Sequence, residues 1–150
     1  MKVYRLSGKE YSSDLHGTGA ALYGGRWNKK GSPVLYTGES IEIALLETIA
    51  HTPPMLIPRL DLVTLEIPPA SVLELHTQEL PKNWYEYPAP SILAEIAEDW
   101  IRSQESIALK VPSCIVPSAH NYILNCRHPQ FRKVKIVDLQ DFHFDRRLNS

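Results

Sequence analysis

Apolar and polar positions change period several times along this chain, and those changes mark its elements. Val3, Tyr4 and Leu6 form a short apolar patch that predicts an edge strand over Lys2 to Leu6. Pro33 to Thr37 (PVLYT) predicts a second strand, closed by Gly38. A helix follows, capped by Ser40 and running to Ala50, because Ile41, Ala44, Leu45, Thr48 and Ile49 recur at helical spacing. His51 and the pair Pro53 and Pro54 are expected to stop it. Over 60–67, Val63, Leu65 and Ile67 alternate with Thr64 and Glu66, the pattern of a half-buried strand. Val72 to Leu75 predicts another strand, and 81–90 a proline-rich aromatic loop. Ser91 opens the clearest helix, with Ile92, Leu93, Ile96, Ala97, Trp100 and Ile101 on one side. Ile92, Ile96 and Trp100 are expected to be buried against a sheet that holds Val63, Leu65 and Ile67. Ile107 to Val111 and Cys114 to Val116 read as strands, Ser118 as the N-cap of a short helix at 119–124, and Val134, Ile136 and Leu139 as a last strand. The polar tail at 145–150 is expected to be loose. Strands of mixed spacing with two interspersed helices predict an α+β fold: a mixed or antiparallel sheet core with flanking helices. No repeat or linker divides the chain, so residues 1–150 read as one domain.

Composition narrows the class. Hydrophobic residues at 43% and charged residues at 22% exclude a disordered chain. No apolar run approaches the roughly 18 residues of a membrane span, and the start, Met1 to Arg5, has no apolar signal stretch. Two cysteines cannot make a disulfide framework, so the expectation is a cytoplasmic protein with reduced thiols. A formal charge of −1 argues against direct nucleic-acid binding. The charge is uneven: residues 1–35 carry +4, residues 36–110 carry −8 and residues 111–150 carry +3. Basic ends around an acidic middle build a positive cleft for an anion if they meet in space; otherwise they are solvated faces of mixed sign.

Three constellations offer chemistry. The segments His16 to Ala20 and Gly24 to Asn28 hold four of the seven glycines. Glycine lets backbone N–H groups approach an anion, Arg26 can pair a diphosphate, and Trp27 can wall a pocket. The spacing fits neither a P-loop nor a Rossmann fingerprint. A glycine turn with a structural Arg–carboxylate pair is the plain alternative, and spacing alone favours it. The second pairs Tyr36, at a strand end, with Glu47, which sits in the most apolar stretch of the following helix. A carboxylate there is costly unless paired or used; a salt bridge to Arg26 or an edge-of-core position are the plain alternatives. In the third, Ser113 follows a proline at a strand break and His120 follows a little later, but the Gly-x-Ser-x-Gly elbow and an oriented acid are both missing. Six scattered histidines without metal-ligand spacing predict no metal site.

Taken together, GTGA and GGRWN, then PVLYTGES with ALLETIAH, then VPSCIVPSAHNYILN with the His128–Pro129 pair, resemble the RES domain. That family is named for an Arg, a Glu and a Ser, and comprises toxins of bacterial toxin–antitoxin systems. The resemblance covers about Tyr4 to Pro129. It assigns Arg26, Glu47 and Ser113 to the three named positions and Tyr36 to a pocket tyrosine. It implies an ADP-ribosyltransferase-like fold and an NAD+-degrading toxin that cleaves the nicotinamide–ribose bond as a glycohydrolase or phosphorylase. The alternative is a protein ADP-ribosyltransferase. The expected catalytic set is Glu47, Arg26, Ser113 and Tyr36. The expected NAD+ contacts are Arg26, Gly25, Trp27, Tyr36 and Asn28. NAD+ is consumed as a substrate and no separate cofactor is expected. The implied partner is an Xre-type antitoxin, with a homodimer as a further expectation. In this reading Glu47 stabilises the oxocarbenium-like ribose, Arg26 holds the diphosphate, Tyr36 stacks on a base, and Ser113 either meets the nicotinamide amide or orients Glu47. Rival classes are a nucleotide sensor without turnover, which needs no Glu47, and an interaction module that docks through Trp84, Tyr85 and Tyr87.

Overall fold

The computed structural model describes residues 1–51 and 59–149. Its strands are β1 (Lys2–Gly8), β2 (Val34–Gly38), β3 (Leu60–Glu66), β4 (Val72–Glu74), β5 (Ala108–Pro112), β6 (His120–Asn125) and β7 (Lys135–Phe142). Its helices are α1 (Thr18–Tyr23), α2 (Ile41–His51) and α3 (Ser91–Ser103). The strands form one sheet in the order β4-β5-β6-β2-β1-β3-β7. Among the described residues only the β4–β5 pair is parallel, so the sheet is mixed and the fold is α+β. The pair Pro53 and Pro54, expected to end α2, lies outside the described residues.

β1 is not the expected edge strand. It lies inside the sheet, pairing β3 along seven residues on one side and β2 on the other. β3 is likewise interior, and its residues Leu60 to Leu65 are buried rather than alternating in and out. The buried Asp61 is tolerated there because Lys9 Nζ donates to its carboxylate at 2.9 Å.

The sheet carries two apolar clusters. Val3, Leu35, Val63, Leu65 and Leu124 belong to one. Trp27, Val34, Leu109, Val111 and Ile123 belong to the other, together with Leu93, Ala97 and Trp100 of α3. Trp100 is buried as expected, and its indole N–H donates to Ser106 Oγ at 2.9 Å. Two parts of that expectation fail. Ile92 is 42% exposed, with Leu93 taking the buried position. α3 also packs over β5 and β6, not over Val63 and Leu65 of β3. The apolar side of α3 is broad enough to be rotated by one residue, and the short link at 104–107 seats the helix on β5, the strand it leads into.

Two further expectations are corrected around β6. Cys114 to Val116 form no strand, because Ser113 Oγ accepts the Ile115 and Val116 N–H groups at 3.1 and 3.2 Å and closes a turn. Residues 119–124 form no helix. Residues 120–124 belong to β6, paired with β5 and β2 on its two sides. Asn121 and Ile123 face one way, Tyr122 and Leu124 the other, a period of two that the Ser118 capping signal obscures. The polar tail is not irregular throughout: Arg146–Asn149 form a 3-10 turn, with Arg147 paired to Asp145.

Helix α2 has its expected cap, with the Ile43 N–H donated to Ser40 Oγ at 3.1 Å. It packs on β1 and β2 and buries Ile43 and Ala44. We expect Leu93→Ala to lower unfolding free energy by about 2–5 kcal/mol and Ile92→Ala by less than about 1 kcal/mol. Urea unfolding of the two variants side by side checks which face of α3 is buried.

Candidate active site

The site lies where the turn at 24–28, β2, α2 and the adjoining ends of β5 and β6 meet. The turn is closed by a bridge between Gly25 and Asn28. Asn28 is 1% exposed and fixes the turn from inside: its amide donates to the carbonyls of Ala20, Lys29 and Ser32. Its Oδ1 accepts the Tyr36 hydroxyl at 2.5 Å, and Tyr36 Oη accepts the Trp27 N–H at 3.1 Å. Burial pushes the Tyr36 phenol well up, with the Trp27 N–H and the Arg26 charge opposing, so the hydroxyl stays protonated and donates. Glycine is required at position 25, because a Cβ there would stand 2.6 Å from Tyr36 Oη and 3.0 Å from Asn28 Oδ1.

Glu47 projects from the last turns of α2. Its Oε1 accepts from Asn121 Nδ2 at 2.8 Å and from Ser113 Oγ at 3.0 Å. Its Oε2 lies 3.5 Å from His51 Nε2, one helical turn on. Burial pushes the carboxyl up, but the His51 ring, the Asn121 amide and the Ser113 hydroxyl together outweigh it and hold the group below the ordinary glutamate range. The carboxylate is therefore ionised at neutral pH.

A cavity of about 490 Å³ is lined by Arg26, Tyr36, Glu47, His51, Cys114 and Asn121, among others. A second, of about 310 Å³, shares Tyr36, Glu47, His51 and Asn121 and adds Tyr4 and Arg5 of β1. Cation, carboxylate and aromatic ring thus converge on one cleft from distant parts of the chain, and Gly25 and Trp27 belong to its wall. Two expected residues lie behind the cavity wall. Ser113 has no exposed surface and donates to Glu47, the second of its two expected placements, rather than facing the cavity. Asn28 lies beneath the cleft, 1% exposed, with its amide and carbonyl both engaged in shaping the turn.

Arg26 makes neither of the plain alternatives. Its Nη1 donates to the Trp84 carbonyl at 2.7 Å and its Nη2 to the Glu86 carbonyl at 2.9 Å. Among the described residues it forms no salt bridge to Glu47. A guanidinium has more N–H donors than these two bonds use, so Arg26 can hold the 81–90 loop and also line the cavity as a cation. The same loop sets Tyr85 and Tyr87 beside Arg26, His51 and Cys114 around an adjoining space of about 300 Å³. Burial pushes the Cys114 thiol up, so it is no thiolate nucleophile at neutral pH. No group of three or more metal-ligating side chains occurs among the described residues.

Sequence reasoning missed two participants. His51 was readable, four residues after Glu47 on the same helix, but served only as a helix stop. Asn121 was hidden by the helix expected at 119–124.

The RES domain family model matches residues 2–145. The chain belongs to the RES domain family. A Yersinia enterocolitica protein named Toxin Res is 37% identical over 151 residues, 99% of each chain. A Sphingobium protein named Prs ADP-ribosylating toxin is 33% identical over 141 residues, 91% of this chain and 88% of its own. Among solved structures, a chain of the M. tuberculosis MbcT–MbcA toxin–antitoxin complex superposes with a TM-score of 0.75 at 20% identity, covering 94% of this chain and 83% of that one. It shares the fold of this RES domain.

Two outcomes follow for this RES domain. Gly25→Ala should lower stability by about 1–3 kcal/mol, because the new methyl group displaces the Tyr36 hydroxyl from Asn28; thermal melting checks it. The Glu47 carboxyl lies below its unfolded value of 4.5, so its contribution to stability is present above that pH and lost as pH falls through the folded value. The stability advantage of the parent over Glu47→Gln should therefore be full near neutrality and vanish in acid. Denaturant unfolding across that range measures it, and a pH-independent difference would count against an ionised Glu47.

Proposed function

We propose that this RES domain is the toxin of a toxin–antitoxin pair and that it degrades NAD+ at the Glu47 cleft. The observation that carries this is a carboxylate held ionised by three protein donors, facing a cavity it shares with a guanidinium and an aromatic ring. Breaking the C1′–N1 bond sends its electron pair to the pyridinium nitrogen. Nicotinamide leaves neutral, and positive charge remains on the ribose. A fixed negative oxygen stabilises that charge as it develops. Water then adds at C1′ and loses its proton, giving ADP-ribose. Arg26 supplies charge for the diphosphate, and the Tyr36 ring, pinned through its hydroxyl, offers a flat face to a base.

The name of the Sphingobium relative supports a second reading, transfer of ADP-ribose to a protein, in which the first bond cleavage is the same and a protein side chain replaces water. A toxin–antitoxin complex among the fold's neighbours supports an antitoxin partner, which we propose to be of the Xre type. The cytoplasm, where NAD+ is met, is the proposed site of action.

The test uses NAD+ labelled in its adenylate half. Free labelled ADP-ribose identifies the glycohydrolase, and label on a protein band in added lysate identifies the transferase. Glu47→Gln should lower turnover by about 10²–10³ with apparent NAD+ affinity little changed, because the ground-state ribose lacks the full charge. Arg26→Ala should raise KM first, since the diphosphate keeps its charge throughout the reaction. Unchanged turnover in a folded Glu47→Gln protein would remove the proposal.

A further inference from the structure

We infer that Asn121 is a positioning residue that assigns separate tasks to the two oxygens of Glu47, fixing Oε1 to the protein and leaving Oε2 for the cleft. This rests on the reading of Glu47 as the reacting carboxylate and names what makes it one.

Three parts of the chain hold Oε1 and its surroundings. Asn121 sits on β6, opposite Val111 of β5 and Gly38 of β2, so its backbone is fixed on both sides. From there its Nδ2 donates to Oε1 at 2.8 Å. The second donor to Oε1 is Ser113 Oγ at 3.0 Å. The Ser113 oxygen is itself occupied as an acceptor by the N–H groups of Ile115 and Val116, so its single proton is directed at the carboxylate. Toward Oε1 the Asn121 NH₂ and the Ser113 hydroxyl, its oxygen already taken by two N–H groups, can each only donate. Both bonds therefore favour the ionised carboxylate over the acid. Helix α2 alone could not achieve this, because a glutamate side chain on a helix keeps several rotamers. With Oε1 tied to β6 and to the turn after β5, rotation of the carboxylate is restricted and Oε2 stays beside His51 at the cavity wall.

The titratable and charged groups that share this cleft come from several elements. They are His51 on α2 itself, Tyr36 on β2, Cys114 after β5, Arg26 on the 24–28 turn, and Tyr4 and Arg5 on β1 in the adjoining cavity. Of these, the Glu47 hydrogen-bond set includes His51, at Oε2. Asn121 and Ser113 act on the other oxygen and carry no charge.

The decisive comparison is Asn121→Asp against Asn121→Ala. Aspartate keeps the shape of asparagine but turns a donor into a like-charged acceptor within hydrogen-bond distance of Oε1. The two carboxyls would then share a proton, and one of them would titrate far above the usual range. Alanine removes one donor and leaves room for a water to donate in its place. The inference therefore expects aspartate to be the more damaging change to Glu47 chemistry. A residue that merely fills space would rank them the other way, because alanine loses the packing that aspartate keeps.

The first readout is the pH titration of the Glu47 carboxyl by carbon NMR in protein carrying labelled glutamate and aspartate side chains. We expect a rise of about one unit or more in Asn121→Asp and a smaller rise in Asn121→Ala. The second is NAD+ consumption against pH. In Asn121→Asp the acid limb of the activity profile should move up by about one unit or more relative to the parent, with Asn121→Ala moved less. A Glu47 titration unchanged from the parent in both variants overturns the inference, as does alanine proving the more harmful to it. If Asn121→Asp does not fold, Asn121→Ala alone decides: an upward shift of the Glu47 titration supports the inference and an unchanged one ends it. The titration is independent of any reaction. A parent protein that consumes no NAD+ while Glu47 shifts as expected would overturn the NAD+ reading and leave the positioning role standing.

Discussion

The hydrogen bonds at Glu47 Oε1 are where local geometry and long-range topology depend on each other. A partly buried carboxylate loses hydration, and only donors fixed in advance can offset that loss. Here the donors come from β6 and from the turn after β5, while the acceptor rides on α2. The bonds therefore exist only when α2 is seated over the sheet with β6 in place between β5 and β2. The seat itself is apolar, made by Ile43 and Ala44 against β1 and β2. Gly38 permits the close approach, since a Cβ there would meet the Ala44 nitrogen at 2.9 Å. Packing places the helix, and the polar contacts then select one orientation of one side chain.

The glycine-rich turn shows the same logic on the other side of the cleft. Its sequence suggests an anion nest, yet much of its chemistry is internal. Asn28 closes it from below, Tyr36 bonds to Asn28, and Gly25 is absent a side chain because the Tyr36 hydroxyl occupies that space. A motif can thus be held in shape by residues whose polar groups are spent inside it. Arg26 extends the arrangement outward. By donating to the carbonyls of Trp84 and Glu86 it ties the cleft to the aromatic loop, whose Trp84 is buried in the α3 layer while Tyr85 packs edge-on against it. A guanidinium suits this double duty because its planar donors serve two directions at once.

Much of this protein is legible in its residues alone, and the physical reason is periodicity. The strands β1, β2, β3 and β7 and the helices α2 and α3 follow from spacing over a few residues, as does the Ser40 cap. Glu47 stands out because a charge in an apolar run has to be accounted for. Arg26 and Tyr36 stand out because they flank glycine turns. Even His51, at one helical turn from Glu47, was within reach of a spacing argument.

What the chain does not display locally, tertiary structure decided. Whether β1 is an edge or an interior strand depends on β3, which lies more than fifty residues away. The buried face of α3 was settled by which strand its short link reaches, and this exchanged Ile92 for Leu93. The stretch at 119–124 contains a capping signal and an alternation, and pairing on both sides let the alternation win. Ser113 reads as a presented hydroxyl but is buried by the turn its own oxygen closes. Asn121 becomes chemically meaningful only when β6 is in place, because a hydrogen bond between residues 74 positions apart has no signature in either neighbourhood. Sequence supplied the carboxylate, the cation and the ring; the sheet order brought them to one cleft, since convergence of distant residues is a property of topology and not of spacing.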